Sequence, residues 1–488
     1  MRILHISTEM APFAKVGGLG DVVSGLARAV KAKGHEVEIL LPKYNSIDNT
    51  YLKNLKSESE SFQVEENQQK YSCTIWSAEY NGLKIWLLEA NHPAHYFERK
   101  EIYGFQDDND RFLFFCKAAL EYLAKIKKQA DVLHLHDWPV ALVPILYKDI
   151  YKDLGMKIGK IVFTIHNLEY QGRCSIFNLT KIGFKQQRYF LEMQDPVFPG
   201  VINLLKGAIK YADALTTVSP TYEREIKTQE GGGALHSVIL ENEQKLKGIL
   251  NGIDVEYWNP ESDCFLKAHF SANDPVTKIT AAKQENRAHL RKQLKLQESK
   301  GPLVISISRL VPQKSPELIK YALIETLQKE AQFVLLGSTN IKEIAQDFQN
   351  LKNQFASNHN SAIFLDYNEP FSHLLYAAAD MIIIPSVFEP CGLTQMIAMR
   401  YGTIPLARRT GGLADTVFDI DTSKEPDDRR NGFTFDYLDT KGVDWVLDRA
   451  LKYYQTDSKK WQRLIQNAMH TDHSWNKYAA EYLKIYQY

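Results

Sequence analysis

Short apolar runs recur along the chain, separated by stretches whose apolar residues fall at helical spacing. The first series comprises Glu36–Pro42, Lys84–Ala90, Val132–His136, Lys160–His166 and Ala214–Ser219. The second comprises Leu303–Arg309, Phe333–Ser338, Ala362–Asp366, Met381–Ser386 and Thr403–Ala407. These runs are apolar throughout rather than alternating, the pattern of parallel strands covered on both faces, and their spacing fits βαβ crossovers. Between the two series, Asp254 to Gly301 is rich in polar residues and contains Trp258-Asn-Pro and Asn273-Asp-Pro, which reads as a domain junction. The expected class is α/β, with two Rossmann-like doubly wound domains facing a central cleft. Ligands of such folds lie at the carboxyl ends of the strands. The tail, His473 to Tyr486, keeps aromatic and apolar residues near helical spacing and is expected to dock on one lobe.

The chain opens on a further strand-like segment, Met1 to Ser7, followed by Lys15-Val-Gly-Gly-Leu-Gly-Asp21 and a helical pattern from Val22 to Lys33. A strand, glycine turn and helix in this order can present backbone N–H groups and a positive helix end to an anion. Lys15 adds a mobile charge suited to phosphate. The same glycines would also serve a plain tight turn.

At 488 residues the chain exceeds what one hydrophobic core usually serves, in keeping with two domains. Lys+Arg and Asp+Glu both number 59, so no basic excess suggests a nucleic-acid partner. The five cysteines, at 73, 116, 174, 264 and 391, are scattered and form no Cys-x-x-Cys, which points to a reducing compartment and away from a disulfide framework or zinc site. The first residues read as a core strand, leaving no room for a signal peptide, and no apolar run nears the ~20 residues a membrane helix needs. A cytoplasmic location without membrane partner is expected.

Polar residues gather just beyond the strand ends. They include His136, Asp137 and Trp138, then His166 and Asn167, then Asn251 to Asp254. In the second half come Arg309, Lys314, the run Phe388-Glu-Pro-Cys-Gly-Leu-Thr-Gln395, and Thr410-Gly-Gly412. Each alone has an ordinary role: a His-Asp pair caps a strand, Asn-Gly makes a turn, and Glu389-Pro starts a helix. Together they place cations and carboxylates at the ends of at least five strands. Arg309 and Lys314 supply the two positive charges a departing diphosphate needs. Asp137, His166, Asn251 and Glu389 supply mixed donors and acceptors for sugar hydroxyls. Among these strand-end residues no Asp-x-Asp pair or histidine cluster suggests a divalent metal, and no Gly-x-Ser-x-Gly elbow is present.

At this point the chain resembles the bacterial glycogen/starch synthases, retaining glycosyltransferases of family 5. The resemblance lies in Lys15-Val-Gly-Gly-Leu-Gly-Asp21, His134-Leu-His-Asp-Trp138, Thr164-Ile-His-Asn167, Tyr170-Gln-Gly172 and Asn251-Gly-Ile-Asp254. It continues through Ser308-Arg-Leu-Val-Pro-Gln-Lys314, Phe388 to Gln395, Arg409-Thr-Gly-Gly-Leu413 and the closing Ser-Trp-x-x-x-Ala-x-x-Tyr segment, in the same order over essentially the whole chain.

The resemblance implies a GT-B fold with an acceptor domain over 1–253, a nucleotide-sugar domain over 254–467, and a helix over 468–488 returning to the first. It implies transfer of glucose from ADP-glucose to the non-reducing end of an α-1,4-glucan, with no cofactor. It assigns Lys15, Gly17 and Gly18 to the donor's phosphates and glucose, and Asp21, Asp137, His166 and Asn251 to the reaction centre. Arg309 and Lys314 would neutralise the diphosphate. Glu389 would hold sugar hydroxyls, with amides of Cys391, Gly392, Leu393 and Thr394 beside it, and Trp138 is a candidate to stack on glucan rings. Tyr96 and Tyr103 fit core packing better. Family members are generally thought to transfer from the front face, the leaving phosphate taking the acceptor's proton, rather than through a carboxylate nucleophile. The chain departs from the family pattern at Val16, where Thr is frequent, and at Ser315, where Gly commonly follows the lysine. Ile397 stands eight residues after Glu389, where the wider retaining group often has a second Glu. Alternatives are a GT-B enzyme using UDP-glucose or a small acceptor, and a catalytically silent glucan-binding protein.

Overall fold

A computed structural model describes residues 1–58, 60–366 and 368–487. The chain divides into two compact units: Met1–Gly252 with Trp475–Tyr488, and Ile253–Ser474.

Among the described residues, unit 1 is built on a ten-stranded sheet. From one edge its strands run Leu246–Gly248, Ala214–Thr217, Lys157–Ile165, Gln129–His136, Arg2–Ile6, Glu36–Pro42 and Leu83–Asn91, each parallel to its neighbour. Gln69–Tyr80 then adds antiparallel to Leu83–Asn91 and carries Lys53–Ser57 and Phe62–Glu66 on itself, also antiparallel. The apolar runs account for the parallel part. The antiparallel extension escapes them because Gln69–Tyr80 is buried at alternate positions, with Cys73 and Ile75 inward and Lys70 exposed.

Unit 2 holds a six-stranded, wholly parallel sheet among the described residues: Ser361–Phe364, Gln332–Ser338, Leu303–Arg309, Met381–Ile384, Ile404–Arg408 and Phe433–Phe435. The junction stretch, Asp254 to Gly301, begins at the boundary between the units. It belongs to unit 2 and includes the helix Val276–Leu294, whose inward face carries Lys283, Arg287 and Arg291. These charges are buried because each has partners. Lys283 Nζ donates to Tyr401 O at 2.8 Å and Thr403 Oγ1 at 3.0 Å, and Arg287 pairs with Asp380. Polar composition therefore misleads here about exposure.

The helix Trp475–Gln487 packs in unit 1. Added Cβ atoms on Gly25 and Gly252 would lie 2.0 Å from the Trp475 indole nitrogen and 2.6 Å from its backbone nitrogen. Only residues without side chains let this helix seat. Lys160 Nζ donates to Ile485 O at 2.7 Å, and the Tyr486 hydroxyl meets His134 Nδ1 at 2.8 Å. The preceding helix, Ser458–His470, stays with unit 2.

Candidate functional site

In unit 1 the candidate residues sit at the carboxyl ends of neighbouring parallel strands. The turn after Arg2–Ile6 leads to the helix Gly18–Ala32, whose first residue follows Gly17 with no side-chain cap. Two of the loop's amides are already taken: Val16 N and Gly17 N donate to Glu9 Oε2 at 2.7 and 3.0 Å. Of the N–H groups expected to face an anion here, those of Val16 and Gly17 are thus turned to Glu9. Glu9, 4% exposed, is a loop-shaping residue that the sequence reading missed, though its place between strand and glycine run was a signal. Lys15 Nζ lies 3.0 Å from Oδ1 of Asp21, in the first turn of that helix, so its charge is held rather than mobile. A Cβ on Gly17 would meet nothing within 4 Å, so no packing demand explains the bare backbone there.

Asp137 follows the strand Gln129–His136 at φ 62° and ψ 177°, a backbone region that almost only glycine occupies, at a cost of about 1–3 kcal/mol. The conformation is held by three hydrogen bonds. Asp137 N donates to Thr164 O at 3.0 Å, while Oδ1 accepts from His166 N at 2.8 Å and Asn167 N at 3.4 Å. Burial pushes the Asp137 carboxyl from its ordinary 3.8 up to about 7, opposed by the two amides and reinforced by the negative charge of Glu9. His166 is half-buried and lowered by burial to about 3. Asn251, 4% exposed, has an Oδ1 with no partner among the described residues, an orphan acceptor that a ligand hydroxyl would satisfy.

Trp138 borders a cavity of about 270 Å³ with Asp108, Asn109, Glu169, Tyr170 and Arg173. Gly172, also lining it, has φ 62°, and a Cβ there would strike the Trp138 ring at 2.6 Å. Tyr170 is half exposed. Tyr96 is buried against His92 with its hydroxyl on Glu66, and Tyr103 bonds Thr8 at 2.7 Å, both packing roles. Three histidines form a cluster that the sequence did not reveal. His5 pairs in register with His134 on adjacent strands, and His136 lies two residues on, on the same face. Ring nitrogens of His5, His134 and His136 lie within 4.8 Å of one another. Histidines recurring at matched positions of neighbouring parallel strands would have been the signal.

Unit 2 arranges charge differently. Arg309 ends its strand exposed. Lys314, in the short helical turn Pro312–Lys314, reaches Glu389, and Ser386 Oγ donates to the same Glu389 oxygen at 2.9 Å. Glu389 is 5% exposed. Ser315 adopts φ 53° and ψ 66°, left-handed backbone that favours glycine, which gives the departure at this position a physical cost. The segment from Glu389 to Leu393 is pinned from two sides. Gln395 Nε2 donates to Cys391 O at 3.0 Å and Gly392 O at 2.9 Å. Gly412 N donates to Glu389 O at 2.9 Å, and a Cβ on Gly412 would lie 2.1 Å from Cys391 O. Leu393 precedes the helix Thr394–Arg400 with no side-chain cap. Ser386, Gln395 and Gly412 are thus supports that the sequence reading left out of the site.

Known families match both halves of the chain. Residues 2–241 match the starch synthase catalytic domain, and residues 286–470 match the glycosyl transferases group 1 domain. A glycogen synthase of Protochlamydia amoebophila is 44% identical, covering 100% of this chain and 99% of that one. A probable starch synthase 4 of Arabidopsis thaliana is 46% identical over 99% of this chain, which spans 46% of the plant protein. The solved catalytic domain of starch synthase IV from Arabidopsis thaliana, bound to ADP and acarbose, superposes with a TM-score of 0.95 at 46% identity, covering 100% of this chain and 98% of that one. A sucrose-phosphate synthase from Thermosynechococcus elongatus, at 16% identity and TM-score 0.62, shares the fold alone. The mixed α/β architecture is that of the GT-B glycosyltransferases, and the chain belongs to the glycogen/starch synthase family of these enzymes.

Proposed function

We propose that the enzyme transfers glucose from ADP-glucose to the non-reducing end of an α-1,4-glucan with retention of configuration, in the cytoplasm. The contact of Lys314 with a buried, Ser386-bound Glu389 carries this reading. It occurs in a chain 46% identical, over its full length, to a catalytic domain solved with ADP and acarbose. Arg309 and Lys314 stabilise the departing diphosphate as the bond from the anomeric carbon to the phosphate oxygen breaks. On donor binding Lys314 shares its charge between Glu389 and the phosphate, and Glu389 holds sugar hydroxyls beside the amides of Cys391 to Thr394.

From unit 1, Gly17, Gly18 and the Lys15–Asp21 pair contact the donor. Asp137, His166 and Asn251 surround the glucose, and the Trp138 cavity takes a glucan ring. The acceptor oxygen attacks the face the phosphate leaves, and that phosphate takes its proton, so the new bond keeps the α configuration. Two protein cations do the work of a divalent ion in this scheme, so activity persists in EDTA.

Competition between ADP- and UDP-glucose, with glycogen as primer, tests the assignment. Preferential extension from ADP-glucose with new α-linkages is expected. Extension from neither donor, or new β-linkages, would overturn it.

A further inference from the structure

Unit 1 contains a hydrogen-bonded chain of histidines leading from its core to the strand ends. His5 Nδ1 meets His136 Nε2 at 2.9 Å, and His136 Nδ1 meets His166 Nε2 at 3.1 Å. His5 and His136 are fully buried, and His166 is half-buried. At the inner end, His5 Nε2 is buried without a partner among the described residues. His134 stands beside this chain but outside it, its two nitrogens engaged by Tyr486 and Thr164 at 2.8 and 2.6 Å.

A chain of neutral imidazoles joined this way has only two proton arrangements, because each ring carries one N–H and one lone pair. Burial keeps all three rings neutral, lowering His5 and His166 to about 3 and His136 well below its ordinary value. If protons point inward, His5 Nε2 is a buried N–H with no acceptor. If they point outward, it is only an unfilled lone pair. Orphaned buried N–H groups are the rarer of the two, so the outward arrangement wins. His136 Nδ1–H then donates to His166 Nε2, and His166 carries its own proton on Nδ1.

We propose that His136, backed by His5, is a positioning residue that fixes His166 as the Nδ1–H tautomer, so that His166 offers a hydrogen-bond donor, not a base, to an oxygen of the bound sugar. The sugar as partner rests on the function proposed above; the tautomer does not. The chain is no proton conduit, because among the described residues no group bonds His5 Nε2 to pass a proton on. A metal ion held by His5, His134 and His136 would displace one hydrogen bond of His134 and one of His136.

The full-length enzyme, labelled with 15N-histidine and free of substrate, reports the tautomer directly in long-range 1H–15N correlation spectra, with His166→Gln assigning the signals. A protonated Nδ1 and bare Nε2 on His166 are expected; the reverse pattern, or a stoichiometric bound metal by mass spectrometry, would overturn the proposal. Kinetics supply a second reading. His136→Leu, which cannot donate to His166 Nε2, should lower kcat about tenfold, the scale of one buried hydrogen bond, with a smaller change in donor KM. His136→Gln, whose amide can donate, should recover most of the loss, and equal losses in the two would count against the idea. Should His136→Leu fail to fold, the wild-type spectrum still decides. A correct tautomer in an enzyme that extends no glucan would defeat only the functional reading, and a glucosyltransferase with the opposite tautomer only this one.

Discussion

The two units treat ionisable groups in opposite ways. At the strand ends of unit 1, burial dominates: it holds Asp137 protonated up to about pH 7 and keeps His166 neutral. At the strand ends of unit 2, pairing dominates: Lys314 and Glu389 meet, and Ser386 supplies a further hydrogen bond. Below about pH 7 Asp137 and His166 are thus uncharged and suited to hydroxyls, beside the paired Lys15 and Asp21, while Lys314 in the other unit keeps a paired charge suited to a diphosphate. Low dielectric serves both, since it penalises lone charges and strengthens matched ones.

Removing the charge from unit 2 should have the largest effect. Glu389→Gln, nearly isosteric, is expected to lower kcat by about 10²–10³, with the far-ultraviolet circular dichroism spectrum preserved. Lys314→Ala should fall in the same range. Wild-type turnover in either would remove the pair from the reaction.

Next come two glycines that look alike in sequence. Gly412→Ala drives a methyl into Cys391 O and should destabilise the fold by about 1–3 kcal/mol or more in chemical denaturation. Gly17→Ala meets nothing in the protein, so the melting temperature should hold while KM for the nucleotide sugar rises. A destabilised Gly17→Ala with unchanged KM would show that this glycine serves the fold alone.

A subtler difference concerns Asp137. Between its unfolded value near 3.8 and its folded value of about 7, the native state binds the extra proton, so wild-type stability falls as pH rises through that window. Asp137→Asn has no proton to release. Its melting temperature should therefore gain on wild type from pH 4 to 7 and stay level above about 8. A gap independent of pH would mean that burial does not shift this carboxyl. The smallest effect is expected from Ser315→Gly, which relieves left-handed strain and should stabilise by up to about 1 kcal/mol in denaturant titrations.

Much of this was legible in the chain. The parallel strands follow from apolar runs, and the residues at their ends from position alone, because a parallel strand must be covered on both faces and its carboxyl end must turn toward solvent. What escaped has specific causes. Gln69–Tyr80 is half-buried, so it alternates where its parallel neighbours do not. Lys283, Arg287 and Arg291 lie in a stretch whose polar composition reads as a junction, and their burial rests on partners distant in sequence. The His5–His134–His136 cluster depends on the register between two strands more than 120 residues apart, which no local window contains. Glu9 and Ser386 act through backbone or through another side chain, so their roles appear only with the geometry.

The seating of Trp475 against Gly25 and Gly252 also sets an order of events during synthesis. Everything unit 2 needs is made as one continuous stretch, whereas the unit begun first must wait for a helix made after all of unit 2 before its own interior can close. A chain truncated after residue 474 should thus fold its second unit while its first still exposes the seat for that indole.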